Sequence, residues 1–165
     1  MKRDYYLFIL PALSIILLDQ LSKFIVSRVI GYHESITLID GFFDLVHIRN
    51  RGMAFGLMNR QGTDFSYYFL VTATLIAIVL LILWFSRIRN GHGLLIFGLS
   101  FILGGALGNL IDRLRHREVI DFLDFYLGKY HWPAFNLADS AITLGTALVI
   151  ISIFLSGPYH DRKEK

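Results

Sequence analysis

Long apolar runs alternate with short polar segments along this chain. Four runs, at about 6–28, 66–86, 94–114 and 136–157, each approach the roughly 20 apolar residues that an α-helix needs to cross a hydrocarbon core. The pattern predicts a mainly α, polytopic membrane protein with four transmembrane helices. We expect the whole chain, residues 1–165, to form a single membrane domain.

The segment at about 30–65 has a different pattern. Its stretch ESITLIDGFFDLVHIRNRGMAF mixes β-branched and aromatic residues, and the turn-forming pair Asp40 and Gly41 interrupts it. This pattern is typical of strands joined by a turn rather than of a membrane helix. We therefore expect a small extramembrane β-sheet between the first and second helices.

Composition agrees with an integral membrane protein. Hydrophobic residues make up 55% of the chain and the mean hydropathy is +0.55, which is too apolar for an ordinary soluble core. The net charge is +3, and the charges form short clusters rather than the stripe or tail of a nucleic-acid-binding protein. Cysteine is absent and the histidines are scattered without an H-E-x-x-H motif, so we expect neither thiolate chemistry nor a metal site. Lys and Arg are shared almost equally between the two sides, which leaves the orientation undecided from charge.

Ionisable side chains within membrane helices, or at their ends, are costly, so each is a candidate functional group. Asp19 and Lys23 lie four residues apart on one helix face, where they can form a structural ion pair or take part in a site. Asn109, Asp112 and Arg113 end the third helix, and their spacing can place all three on one side. They fit either a polar helix terminus or a site in which the guanidinium influences a neighbouring carboxylate.

Further carboxylates lie between the last two helices and at the start of the fourth. Asp121 and its neighbour Asp124 fit solvated loop acids, and Asn136 with Asp139 fits a helix capping box. The alternative is that Asp121 and Asp139 converge at the membrane surface. Two carboxylates that share a site cannot both ionise cheaply, so one would keep a proton while the other could activate water for amide hydrolysis.

Other functions fit parts of the pattern. Lys23 and Ser27 are four residues apart, which a serine–lysine hydrolase could use, but a role as interfacial helix residues explains them better. A transporter or channel subunit would use intramembrane Asp and Lys to carry protons or ions along a continuous path. A membrane scaffold would pack through small residues such as Gly104 and Gly108, whose spacing lets two helices approach closely.

Five sequence blocks together resemble the lipoprotein signal peptidases, the bacterial type II signal peptidases, which are aspartic proteases of the cytoplasmic membrane. The blocks are DQLSK at 19–23, RNRGMAFG at 49–56, GGALGNLIDR at 104–113, VIDF at 119–122 and FNLADSAI at 135–142. They span most of the chain in the family's order. Together they are highly specific, although each alone is not.

The resemblance implies a four-helix bundle in the bacterial inner membrane. Both termini would be cytoplasmic, with an active site near the outer face and an extracytoplasmic sheet that cradles the substrate. The implied reaction is cleavage of a diacylglyceryl-modified prolipoprotein before its lipidated cysteine, which releases the signal peptide. We expect prolipoproteins and membrane lipids as partners, no nucleic acid, no cofactor and a monomeric enzyme.

The resemblance also implies roles for particular residues. Asp121 and Asp139 match the catalytic aspartates. Because Asp139 lies near a helix N-terminus, whose dipole favours an anion, we expect Asp139 to act mainly as the base and Asp121 mainly as the acid. Nine further residues match positions that frame the family's site: Asp19, Lys23, Asn50, Gly52, Gly108, Asn109, Arg113, Asn136 and Ala138.

Two residues depart from the family pattern. Arg117 stands where glycine is frequent, two residues before the VIDF block, so we expect that loop to take a different path or to touch lipid head groups. Arg115 and Arg117 are candidates for binding anionic head groups by charge attraction. Met53 stands where alanine is usual, and its larger side chain would reshape the substrate pocket without changing the reaction class.

Overall fold

Four long helices dominate the computed structural model, which describes residues 2–52, 64–88 and 93–156. The elements in chain order are α1 (Lys2–Val29), β1 (Ser35–Ile39), β2 (Phe43–Asn50), α2 (Phe65–Arg87), α3 (Gly93–His116), β3 (Val119–Leu127), β4 (Tyr130–His131) and α4 (Leu137–Ser156). Each helix is long and apolar enough to cross a membrane, which confirms the four predicted segments. The largest difference is at the start of α1, which begins at Lys2 rather than near residue 6.

The helix α3 is the centre of the bundle, because it packs against the other three helices. Its side chains Ile96, Leu99 and Leu103 join Phe8 of α1 and Phe85 of α2 in one apolar core. The rings of Phe8 and Phe85 stack with their centroids 3.9 Å apart. The outer faces of α1, α2 and α4 carry exposed Leu, Ile and Phe, as expected of helix surfaces that contact lipid.

Glycines allow α3 to lie close to its neighbours. A Cβ on Gly104 would lie 2.8 Å from the backbone oxygen of Ala12 in α1. A Cβ on Gly105 would overlap the backbone oxygen of Ala138 in α4. The close approach predicted from the spacing of Gly104 and Gly108 is therefore present, and the glycines of α3 serve two different helices.

A four-stranded antiparallel sheet, in the order β1-β2-β3-β4, packs against one end of the bundle. The strands β1 and β2 confirm the sheet expected between the first and second helices. The strands β3 and β4 extend it with residues between α3 and α4, where the sequence analysis expected a loop. The sequence did not predict β3, because the acids Asp121 and Asp124 interrupt the alternation of apolar and polar residues that marks a half-buried strand. Both aspartates are buried here.

The sheet covers the end of the bundle at which α1 and α3 end and α2 and α4 begin. Val26 and Ile30, at the end of α1, pack against Phe122 of β3 and hold the sheet on the helices. Residues 2 and 156 consequently lie at the opposite end of the bundle, since four spans separate them. Side chains from the last turns of α3 and the first turn of α4 lie beside the sheet.

We expect Gly105→Ala to lower the free energy of unfolding by about 1–3 kcal/mol, because the added methyl group would force α3 away from the Ala138 carbonyl. Gly93→Ala is the matched control, since a Cβ at that position meets nothing within 4 Å. Thermal unfolding in detergent, followed by circular dichroism, compares the two variants. Equal melting temperatures would show that α3 and α4 are not in close backbone contact at this point.

Candidate active site

Asp121 and Asp139 come together at the sheet end of the bundle. Asp121 belongs to β3 and Asp139 to the first turn of α4, and the side chain of Asn136 bridges them. Asn136 Nδ2 donates to Asp121 Oδ1 at 2.7 Å, and Asn136 Oδ1 accepts from the Asp139 backbone N–H at 3.0 Å. The structure thus joins the two aspartates that the sequence analysis singled out.

The capping box expected at the start of α4 is present as well. Asp139 Oδ2 accepts from the Asn136 backbone N–H at 3.3 Å, which completes the reciprocal pair. The other oxygen, Asp139 Oδ1, accepts from Asn109 Nδ2 at 2.8 Å. Capping and convergence with Asp121 are therefore compatible, because the cap uses only one oxygen of the Asp139 carboxylate.

Asp121 is almost completely buried, with 2% of its surface exposed. Its Oδ2 accepts from Asn50 Nδ2 at 2.9 Å, across the pairing of β2 with β3. The pKa of the Asp121 carboxyl is raised to about 6, mainly because burial disfavours the charged form; the negative charge of Asp139 adds to the rise, and the amides of Asn50 and Asn136 oppose it. Asp139 is only half-buried, so the two carboxyl groups have different environments.

The end of β2 orients Asn50 for this contact. Asn50 Oδ1 accepts from the Gly52 backbone N–H at 2.7 Å, so its amide nitrogen faces Asp121. Gly52 has a φ of 90°, a left-handed conformation that favours glycine, and a Cβ there would overlap the side chain of Leu70 in α2. The positive φ therefore favours glycine at this position, whereas the end of the Leu70 side chain could move aside.

A buried ammonium orients Asn109. Lys23 Nζ donates to Asn109 Oδ1 at 3.0 Å, so Asn109 Nδ2 is the atom that reaches Asp139. Asn136 Nδ2 also donates to Asn109 Oδ1, at 3.3 Å. The amides of Asn109 and Asn136 therefore direct N–H groups, rather than carbonyl oxygens, at the side chains of Asp139 and Asp121.

The ion pair expected between Asp19 and Lys23 forms, and Asp112 joins it. Lys23 Nζ lies 2.8 Å from Asp19 Oδ2 and 2.8 Å from Asp112 Oδ2, with all three side chains buried. Gln20, which the sequence analysis did not select, donates to Asp112 Oδ1 at 2.9 Å and to Asp19 Oδ2 at 3.2 Å. Its position beside Asp19 within a membrane helix is the signal that could have identified it.

Asp19 also joins α1 to α4. Its Oδ1 accepts from the Ala138 backbone N–H, 2.9 Å away, in the first turn of α4. Gly108 permits this approach, because a Cβ on it would lie 2.6 Å from Asp19 Oδ2 and 3.4 Å from the Ala138 Cβ. Ala138 has no exposed surface, so Gly108 and Ala138 frame the site by leaving space for the Asp19 carboxylate.

Arg113 brings a positive charge to the same region. It lies in the last turn of α3, and its Nη1 donates to the Asn109 backbone oxygen at 3.5 Å. The carboxylates of Asp139, Asp112 and Asp121 all attract its guanidinium. The prediction that Asn109, Asp112 and Arg113 contribute to one side of α3 is consistent with these contacts.

The serine–lysine pair does not form. Ser27 Oγ donates to the Phe24 backbone oxygen at 3.0 Å, whereas the Lys23 ammonium binds Asp19, Asp112 and Asn109. The buried carboxylates attract the ammonium more strongly than a neutral hydroxyl can. Ser27 is a partly exposed helix residue, as expected, but Lys23 is buried in the ion cluster rather than interfacial, because two carboxylates bind its ammonium.

Arg117 has a φ of 60°, which is a conformation that glycine adopts readily. Its Nη1 lies 2.9 Å from Asp64 Oδ1, and its guanidinium lies over the ring of Tyr67 with the carbon 5.1 Å from the ring centroid. Arg117 therefore contacts the start of α2 while keeping a backbone conformation suited to glycine. Met53, the other departure from the family pattern, lies outside the described residues.

The arrangement is suited to acid–base chemistry. One carboxyl group is buried with a pKa of about 6, and the other lies half-exposed at a helix N-terminus, where the dipole favours an anion. Carboxyl pairs whose environments differ in this way can divide into a proton donor and a proton acceptor.

Comparisons with known proteins agree on one family. Residues 11–155 match the family described as signal peptidase (SPase) II. The chain is 43% identical to a lipoprotein signal peptidase of Syntrophus aciditrophicus, over 93% of this chain and 95% of the relative. It is 49% identical to a lipoprotein signal peptidase of Desulforapulum autotrophicum, over 86% of this chain and 88% of the relative.

Two solved structures have a similar fold. Both are described as bacterial membrane enzymes determined by the in meso method, one at 2.3 Å and one at 1.9 Å resolution. The first superposes with a TM-score of 0.77 at 29% identity, covering 94% of this chain and 93% of that chain. The second has a TM-score of 0.75 at 31% identity, covering 87% and 90%.

We expect Lys23→Met to lower the free energy of unfolding by about 3–5 kcal/mol, because it leaves the Asp19 and Asp112 carboxylates buried without their shared cation. Adding Asp19→Asn to that variant removes one of the two charges and should restore part of the loss. Lys2→Met, an exposed change on the same helix, is the control. Thermal unfolding in detergent provides the measurement, and a Lys23→Met variant as stable as the control would contradict the buried ion cluster.

Proposed function

This chain belongs to the signal peptidase II family, and we propose that it is an aspartic endopeptidase that removes the signal peptide from diacylglyceryl-modified prolipoproteins. It is a multi-pass membrane protein with four apolar helices, and its family implies a peptidase that processes lipoproteins. The aspartic mechanism and cleavage before the lipidated cysteine are proposed for this chain from the resemblance and from the geometry of its site.

The bridge that Asn136 makes between Asp121 and Asp139 is the observation that carries the proposal. The Asn136 side chain donates to the buried Asp121 carboxyl group, whose pKa is raised to about 6, and the Asn136 backbone N–H donates to the half-buried Asp139 carboxylate at the end of the membrane helices. Two such groups can hydrolyse an amide with no covalent intermediate, because one takes a proton from water while the other supports the carbonyl oxygen. The apparent pKa values measured for them would belong to the pair.

In the proposed reaction Asp139 starts as the carboxylate and Asp121 as the carboxylic acid. Asp139 takes a proton from water as the water oxygen attacks the scissile carbonyl carbon, and the Asp121 proton moves to the carbonyl oxygen. The tetrahedral diol collapses when Asp139 passes its proton to the amide nitrogen and Asp121 regains one from a diol hydroxyl. The carbon–nitrogen bond breaks, and both carboxyl groups return to their starting states.

The surrounding residues support this division of roles. Asn50 and Asn136 each hold one oxygen of Asp121, while Asn109 and the Asn136 backbone hold the two oxygens of Asp139. Both carboxyl groups are thereby positioned before a substrate arrives, which lowers the cost of orienting them during the reaction.

The proposal places the site near the outer face of the bacterial cytoplasmic membrane, with both termini cytoplasmic. The described chain ends lie opposite the sheet and the two aspartates, and the basic start, Lys2 and Arg3, favours a cytoplasmic N-terminus. A scissile bond close to a diacylglyceryl group suits this position, because the acyl chains can remain in the bilayer while the bond reaches the aspartates.

A transporter would need ionisable groups along the bundle. In the described parts of the chain, the buried ionisable side chains instead gather towards the sheet end, in β2, β3 and the halves of α1 and α3 nearest the sheet: Asp19, Lys23, His47, Asp112, Asp121 and Asp124. This distribution favours a site at one membrane surface over a path through the membrane.

We expect Asp121→Asn and Asp139→Asn each to abolish cleavage of a diacylglyceryl-modified precursor while leaving the protein folded. Each replacement removes a proton donor or acceptor and leaves a single oxygen, which can keep one of the two hydrogen bonds that the carboxyl group accepts. Asp124→Asn on the same strand is the control, because Asp124 pairs with His131 instead. The assay uses purified protein in detergent, with melting temperatures recorded for all variants. Retained cleavage in a folded Asp121 or Asp139 variant would rule out the aspartic mechanism.

We expect kcat/KM to fall as the pH rises through about 6. The raised pKa keeps Asp121 protonated below that pH, and the acid is lost as its proton dissociates above it. Infrared titration of the resting enzyme can assign the group, since the protonated carboxyl band should disappear over the same range and be missing in Asp121→Asn. A band that belongs to Asp139 instead would reverse the assignment of acid and base.

A further inference from the structure

The sheet has two chemically different faces. Successive side chains of a strand point to opposite faces, so from Leu123 onward Leu123, Phe125 and Leu127 share one face of β3, while Asp124 and Tyr126 lie on the other. The pairing of β3 with β4 continues this division, because Leu127 is opposite Tyr130 and Tyr126 is opposite His131. The outer part of β3, from Leu123 to Leu127, therefore carries apolar side chains on one face and polar ones on the other.

The polar face satisfies its own groups. His131 Nδ1 lies 2.9 Å from Asp124 Oδ2, and the Tyr126 hydroxyl donates to Asp44 Oδ1 at 3.1 Å. The rings of Tyr126 and His131 stack with centroids 4.7 Å apart. Because these polar side chains are paired with one another and can also bind water, this face can remain exposed to solvent.

The apolar face, by contrast, ends in large uncovered side chains. Leu127, Tyr130 and Trp132 are 70%, 74% and 70% exposed, and the Trp132 backbone N–H donates to the Phe125 oxygen, which extends the pairing of the two segments. The pairing of Ile39 with Phe43, and of Phe43 with Phe125, brings exposed Ile39 of β1 to the same face. Exposed apolar side chains gathered in this way mark a surface that binds something.

The apolar face is turned towards the membrane. Leu123, on this face, packs with Leu137 of α4 against the cluster that holds Val26 and Ile30 at the end of α1. The face therefore looks onto the ends of the membrane helices. Trp132 precedes the first residue of α4, Leu137, by only five positions. The surface is thus continuous with helix faces that are apolar enough to contact lipid.

We propose that the apolar face of the sheet lies on the lipid leaflet at that end of the bundle, with Tyr130 and Trp132 at the boundary between head groups and acyl chains. Tyrosine and tryptophan favour this boundary, because their rings are apolar and their polar groups can reach water. Lys129, at the turn between β3 and β4, is placed to attract lipid phosphate while its stem stays on the apolar side. The contact lies about 20 Å along β3 from Asp121, so it holds the sheet and the aspartate level with the membrane surface.

Tryptophan fluorescence tests this position directly, because Trp84 and Trp132 are the only tryptophans of the chain. Trp84→Phe leaves Trp132 as the single reporter, in protein reconstituted into phosphatidylcholine vesicles without substrate. We expect blue-shifted emission, strong quenching by lipids brominated near the head group, weaker quenching by lipids brominated deep in the acyl chain, and little quenching by aqueous iodide.

The neighbouring polar position supplies the control. In a variant with Trp84→Phe, Trp132→Phe and His131→Trp, the reporter moves by one residue onto the opposite face of the sheet. We expect iodide to quench this reporter severalfold more strongly than Trp132, and brominated lipids to quench it weakly. Equal lipid quenching at both positions would overturn the proposal, because it would mean that the segment is immersed without a preferred face.

A peptide partner would give a different result. If a substrate segment rather than lipid covered the apolar face, Trp132 in substrate-free vesicles would be quenched by iodide and untouched by brominated lipid, and adding a precursor would then protect it. That outcome would also overturn the proposal. The measurement requires no catalysis, so its result is independent of the aspartic mechanism.

Discussion

The buried ammonium of Lys23 is the interaction on which the rest of the site depends. It lies between the carboxylates of Asp19 and Asp112 and donates to the amide oxygen of Asn109, so it joins α1 to α3. The other Asp19 oxygen binds the first turn of α4 through the Ala138 N–H. A buried charge is stable only when it is paired and fully hydrogen-bonded, and here those requirements fix the relative positions of three helices.

The positions of the two central aspartates follow from that arrangement. The Lys23 ammonium fixes which end of the Asn109 amide faces Asp139, and the cap of α4 fixes which end of the Asn136 amide faces Asp121. An amide that turned over would direct an oxygen at a carboxylate and repel it. The orientation of each amide is therefore fixed by a donor that binds its oxygen: the Lys23 ammonium for Asn109 and the Asp139 backbone N–H for Asn136. The positions of the helices thus determine the orientation of the groups around the two aspartates.

Periodicity and composition alone predicted the helices well, because each apolar run carries its own signal. Local signals did not reveal β3, since Asp121 and Asp124 are both buried and each is hydrogen-bonded to a residue outside the strand. The contact of Gln20 with Asp112 joins residues 92 positions apart and has no local signature either. Convergence of Asp121 and Asp139 stayed one of two interpretations until the resemblance to a family was considered, because spacing cannot show how a connection folds back.

Asp139 shows why the alternatives offered by a sequence need not exclude each other. Its capping box was a sufficient structural explanation, and the structure contains that box. The cap requires only an acceptor at one oxygen, which an asparagine would also supply, whereas proton transfer requires a group that can ionise. An aspartate at this position therefore provides more than helix capping needs. Asp139 adds a titratable group at a helix N-terminus, which accepts a hydrogen bond from Asn109 and lies near a second carboxyl group, and hydrolysis is the chemistry that we propose for this pair.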